Sequence, residues 1–215
     1  MGNTISEARI PKPASILATA EQVYVPDRKA WRKWLAKHGT KSAGIWLVYD
    51  KKTSRAERLA YADAVEEALC YGWIDSTVRQ LDEHRYMQFF APRKPKSTWS
   101  RLNKTRIARL LEEKQVAKPG LASIEVAKQN GSWESIDGVE AFEMPPELVK
   151  ALAKDPGAKA FFDSVSMTTR KGYLFRLNSA KRPETKAARL KEVMDLCRAG
   201  LRHRTEVGRP GKTKA

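Results

Sequence analysis

The sequence predicts an α+β protein, with a small antiparallel sheet and flanking helices in the N-terminal half and an all-helical C-terminal half. Three observations predict this. Branched and aromatic residues run from Ala43 to Tyr49; Trp73–Leu81 and Arg85–Ala91 alternate apolar and polar residues about Asp82-Glu83-His84; and from residue 100 onward apolar residues recur only at helical spacing. At 215 residues the chain can bury a substantial core, in one large domain or two small ones.

Residues 1–22, broken by Arg9, Lys12 and prolines, read as a disordered lead. Residues 23–130 read as an α+β domain. Asp27 is placed to cap a helix with Trp31, Trp34 and Leu35 on its apolar face, closed by Gly39. Ala43–Tyr49 reads as a buried strand, the polar stretch from Thr53 to Arg58 as a loop, and Tyr61–Leu69 as a helix stopped by Gly72. A β-hairpin over residues 73–91 follows.

Ser100 is placed to cap a helix carrying Leu102, Ile107, Leu110 and Leu111, and Pro119-Gly120 precedes one with Leu121, Ile124 and Val126. Residues 131–143 read as a linker. In the helical segment 144–200, Pro146, Pro156 and Pro183 each open a helix, and Thr168 or Thr169 caps another. The tail, 201–215, is basic and punctuated by Gly and Pro, and is expected to be disordered.

Two strings in the N-terminal half and one near the C-terminus stand out. They are Ala64-Val65-Glu66-Glu67-Ala68-Leu69-Cys70-Tyr71-Gly72-Trp73-Ile74-Asp75-Ser76, Phe90-Ala91-Pro92-Arg93-Lys94-Pro95-Lys96-Ser97-Thr98-Trp99-Ser100, and Ser179-Ala180-Lys181-Arg182-Pro183-Glu184-Thr185-Lys186-Ala187-Ala188-Arg189-Leu190. Together they resemble the YdeI/OmpD-associated (bacteriocin-protection) family from about Trp31 to Gly200. The resemblance implies a bacterial stress protein linked to tolerance of bacteriocins or cationic antimicrobial peptides. It supplies no catalytic residues.

The formal net charge of +16 is clustered. Residues 85–114 carry 9 basic and 2 acidic side chains, and residues 168–215 carry 14 and 4. Such clustering suits a phosphate-rich partner and disfavours direct capture of a cationic peptide. The principal candidate is a polyanion site, nucleic acid included, on Arg85, Tyr86, Gln88, Phe90, Arg93, Lys94, Lys96, Trp99 and Lys104, where cations interleave with aromatic rings able to stack bases. A second basic group, Lys181, Arg182, Lys186 and Arg189, flanks a helix start and is an anion-site candidate. The alternatives are an enzyme or small-ligand pocket near Trp73 and Asp75, and an adaptor that docks a protein partner. Asp75 is equally able to bond Arg79, Arg85 or a backbone amide.

No phosphate-binding loop, dinucleotide fingerprint or metal-ligand spacing is present, so neither cofactor nor metal is expected. Cys70 beside Tyr71 and Trp73 reads as a core residue rather than a nucleophile served by His84, and Asp63, Glu66 and Glu67 read as solvated carboxylates. Two cysteines suit a reducing compartment, and no apolar run is long enough to span a membrane. The expected location is the cytoplasm.

Overall fold

The computed structural model describes residues 16–51 and 59–203. The predicted loop at 53–58 and most of the predicted tail lie outside these, as do residues 1–15 of the lead. The chain divides into two units: the first takes in the residues up to Ser97 and Leu102–Gly131, the second Thr98–Arg101 and the residues from Ser132 onward.

In the first unit α1 (Ile16–Thr19) and β1 (Gln22–Tyr24) precede α2 (Arg28–His38), β2 (Ile45–Asp50), α3 (Tyr61–Cys70), β3 (Trp73–Gln80) and β4 (Arg85–Pro92). Helices α4 (Arg101–Glu112) and α5 (Lys118–Gln129) follow. The sheet has the order β1-β2-β4-β3. Its β2–β4 and β4–β3 pairs are antiparallel as the sequence predicts, and β1 adds a parallel edge to β2. Within the lead, Gln22 faces Trp46 in the ladder and the Trp46 indole donates to the Leu17 carbonyl at 3.0 Å.

One face of the sheet carries Ile45, Leu47, Tyr49, Tyr86, Gln88 and Phe90 in register, and α2 and α3 pack on that side. Trp31 meets Phe90 edge-on at 5.7 Å, and Trp34 meets Trp73 at 5.8 Å. Buried indole N–H groups need acceptors. Trp31 finds the Ala64 carbonyl at 3.0 Å and Trp73 the Gly39 carbonyl at 2.9 Å, so each large side chain also fixes where a helix sits. Asp27 caps α2 by accepting from the Ala30 N–H at 2.7 Å. Gly72 leaves α3 at φ +73°, in the left-handed region that favours glycine. At Gly120 a Cβ would lie 2.2 Å from the Cys70 carbonyl oxygen, so glycine is what lets α5 approach the end of α3.

The helical pattern overstates the core of α4 and α5. Ile107, Leu110 and Ile124 are buried, while Leu102, Leu111, Leu121 and Val126 remain exposed, because each helix turns only a narrow stripe inward.

The second unit is helical, with α6 (Asp137–Glu140), α7 (Pro146–Ala153), α8 (Pro156–Ser164), α9 (Met167–Asn178) and α10 (Pro183–Arg198). Its core holds Leu148, Leu152, Phe162, Tyr173, Leu174, Leu177, Val193 and Met194. The segment read as a linker is part of this core, since α6 lies within it and Ile136, Val139 and Phe142 pack inward. The cap of α9 is Ser166, whose Oγ accepts from the Thr169 N–H at 3.2 Å, so Thr168 and Thr169 lie inside the helix.

Candidate functional site

The carboxylates of α3 are not a solvated cluster. Glu67 is 3% exposed and accepts from Arg28 Nε and Arg32 Nη1, each at 2.7 Å. Arg28 also reaches Asp63 and Glu66, and Arg109 of α4 binds both Glu66 and Glu113. Burial pushes the Glu66 carboxyl up, but the bonds and charges of Arg109 and Arg28 outweigh it and hold the group below its ordinary range. The network ties α2, α3 and α4 together. Cys70 is a core residue: burial, with the Glu67 charge adding to it, pushes its thiol up to about 11, opposite to what a nucleophile needs.

A second polar group lies on the helix-covered face of the sheet. Asp75 bonds neither Arg79 nor Arg85. Arg79 lies over the Trp46 ring at 4.7 Å, and Arg85 pairs with Asp82 at 2.7 Å. Instead Asp75 Oδ2 accepts from the Tyr61 hydroxyl at 2.9 Å and from Gln88 Nε2 at 2.6 Å. The β3 ladder shifts register between Asp75 and Val78, which breaks the regular pairing beside this carboxylate.

Tyr49 and Tyr86, directly paired across β2 and β4, stack with centroids 4.9 Å apart and planes 6° from parallel. Tyr49 is 3% exposed, and its hydroxyl has no hydrogen-bond partner among the described residues. Burial raises its pKa first, with Tyr86, Asp75 and Tyr61 adding to the effect. Arg93, whose backbone N–H donates to the Gly72 carbonyl at 2.8 Å, has its guanidinium pKa pushed down to about 10 by burial, against the opposing pull of Asp75.

This placement separates the residues expected to bind a polyanion. Phe90 is fully buried against Trp31, Gln88 is engaged with Asp75, and Tyr86 is half-buried under its stack. Trp99 is 1% exposed with its ring 4.9 Å from Trp133. Trp73 is a buried core side chain, 1% exposed. Lys94 and Lys96 are exposed, and Lys104 is half-buried on α4. In the second unit Lys181 and Arg182 are exposed before α10, whereas Lys186 pairs with Glu147, and Arg189 Nη1 donates to the Arg176 carbonyl at 2.8 Å and to Ser179 Oγ at 2.7 Å.

Residues 141–200 match the family model described as bacteriocin-protection, YdeI or OmpD-associated. This segment is similar to that family. The matched segment contains α7 to α10, and with them the third of the strings that carry the resemblance. Residues 23–123 match a separate model, a domain of unknown function (DUF8412), which contains the other two strings, Lys94, Lys96 and the Asp75 group. No curated protein and no solved structure matches the chain.

Local pattern does not reveal Tyr61 as a partner of Asp75, nor the buried Tyr49 hydroxyl on the same face of the sheet. Tyr49 ends an apolar run and reads there as core, and only the β2–β4 register places it on the face of Tyr86 and Gln88. The usable signal is the matching alternation Leu47, Tyr49 and Tyr86, Gln88 on two strands.

Proposed function

We propose that the protein serves a bacteriocin-protection-related role by binding a polyanion through exposed cations, without aromatic stacking. The observation that supports this reading is how the basic residues divide. Arg28, Arg32, Arg85, Arg109, Lys186 and Arg198 are engaged in ion pairs within the chain. Lys94, Lys96, Lys181 and Arg182 are exposed and stand outside the ion pairs among the described residues. Lys94 and Lys96 sit on a loop restricted by Pro92 and Pro95, which lowers the entropy lost when they are held against an anion.

Cations displayed in this way neutralise phosphates or sulfates and release counterions, a sequence-independent mode that requires no base contact. A net charge of +16 repels a cationic peptide, so protection by this route acts through an anionic partner. Chromatography of the full chain on immobilised heparin tests the reading. Retention that falls steeply with salt is expected; absence of retention, or retention indifferent to salt, contradicts it.

A further inference from the structure

We propose that the cavity between α9 and α10 is a binding site for a small carboxylate with an apolar body, of the size of benzoate. The cavity measures about 320 Å³ and is lined on α9 by Gly172, Tyr173 and Arg176 and on α10 by Glu192, Val193 and Leu196, all of the second unit. Pockets that take small molecules begin at about this volume. The Tyr173 hydroxyl donates to the Leu201 carbonyl at 3.0 Å, which fixes the chain that brings Arg202 and His203 to the same cavity.

Two observations carry this beyond the cavity itself. The first is Gly172, which stands in the middle of a twelve-residue helix, where glycine costs stability relative to ordinary residues. Its φ lies outside the left-handed region, and a Cβ there would meet no atom within 4 Å outside its own turn of helix. Neither backbone nor packing within the chain calls for glycine here, as the backbone does at Gly72 and packing does at Gly120. Its missing side chain leaves the cavity wall open, and a longer residue at this position would grow into the space that a ligand takes.

The second is the balance of charge, which selects the ligand. Arg176 Nη2 and Nε both donate to Glu192 Oε2, at 2.6 and 3.0 Å, so the carboxylate of the lining is already paired. Nη1 of the same guanidinium donates to none of the described residues, and Arg202 brings a second positive charge to the lining. A ligand carboxylate accepts from Arg176 Nη1 in a charge-assisted bond, while Tyr173, Val193 and Leu196 cover its apolar body. An ammonium group meets two guanidinium groups instead, and a neutral molecule forgoes the ionic bond. The site shares no residue with Lys94, Lys96, Lys181 and Arg182, and it stands whether or not they bind a polyanion.

The test is an amide NMR titration of the full chain with benzoate, benzyl alcohol and benzylamine as separate probes. Saturable shifts at Gly172 and Leu196 are expected with benzoate, binding about tenfold weaker with benzyl alcohol, and none with benzylamine. Gly172→Leu is expected to abolish benzoate binding while the melting temperature holds or rises, because leucine propagates a helix better than glycine and enters open space. Arg176→Met, which keeps an apolar stem, is expected to weaken benzoate about tenfold and to leave benzyl alcohol binding unchanged. The proposal is overturned if benzoate gives no saturable shift or shifts only residues outside the cavity, or if benzylamine binds as tightly as benzoate. It is equally overturned if folded Gly172→Leu or folded Arg176→Met binds benzoate as well as the parent does, or if Gly172→Leu fails to fold, which would show that the space beside Gly172 is not open.

Discussion

Gln88 Nε2 donates to Asp75 Oδ2 at 2.6 Å, from a strand position that is 4% exposed to a carboxylate on the neighbouring strand. The bond joins β4 to β3 where the ladder is irregular, and it supports the carboxylate together with the Tyr61 hydroxyl. Gln88→Met keeps roughly the same volume and removes the donor. We expect it to destabilise the protein by about 1.5–3 kcal/mol, the range for a hydrogen bond to a charged group. Urea denaturation checks this, and a change too small to measure would mean that the bond contributes nothing net.

Tyr49→Phe has the opposite expected sign. The hydroxyl is desolvated without a partner among the described residues, so its removal should raise stability by about 1 kcal/mol or more. A melting temperature below that of the parent would show that the hydroxyl is satisfied in solution.

Glu67→Gln removes the charge shared by Arg28 and Arg32. The carboxylate is buried but both guanidinium groups are about a third exposed, so the loss is expected near 1–3 kcal/mol, below that for a fully buried pair. A cost within experimental error in urea denaturation would show that the arginines simply turn to solvent.

Local signals were legible in the sequence and remote ones were not. The Asp27 cap and the hairpin are written in patterns a few residues long, and both stand in the structure. β1 spans only three residues and is held by β2 more than twenty positions away, so no local periodicity announces it. Glu67 was read as solvated because its partners lie 39 and 35 residues distant. The aromatic residues of the expected binding strand lie on the face that turns toward the helices, which buries Phe90. The residues meant to stack bases thus include core side chains, while the adjoining Lys94 and Lys96 stay exposed.

Cys70 and Cys197 give an alkaline limit to stability. Burial raises both thiols from 9.0 to about 11, so between these values the unfolded chain loses protons that the folded chain keeps. Stability from these groups is full below pH 9.0 and falls as pH rises toward 11. Denaturation followed across this window should show the decline, and the parent should resist thiol reagents at pH 8 until it unfolds. Cys70→Ser should leave polyanion binding intact. Rapid labelling of the native protein would contradict the buried assignment.

The central claim is that exposed cations bind an anionic partner while the aromatic residues stay in the core. Its most direct measurement is the salt dependence of oligothymidylate binding, followed by anisotropy alongside tryptophan emission, for the parent and for a variant with Lys94, Lys96, Lys181 and Arg182 all changed to alanine. The expected result is a log–log slope shallower by roughly 3 in the variant, about 0.7 for each lost phosphate contact on a single strand. Tryptophan emission should not change on binding, because Trp99 is buried beside Trp133. An unchanged slope in a folded variant, or strong tryptophan quenching lost in Trp99→Phe, would contradict the account.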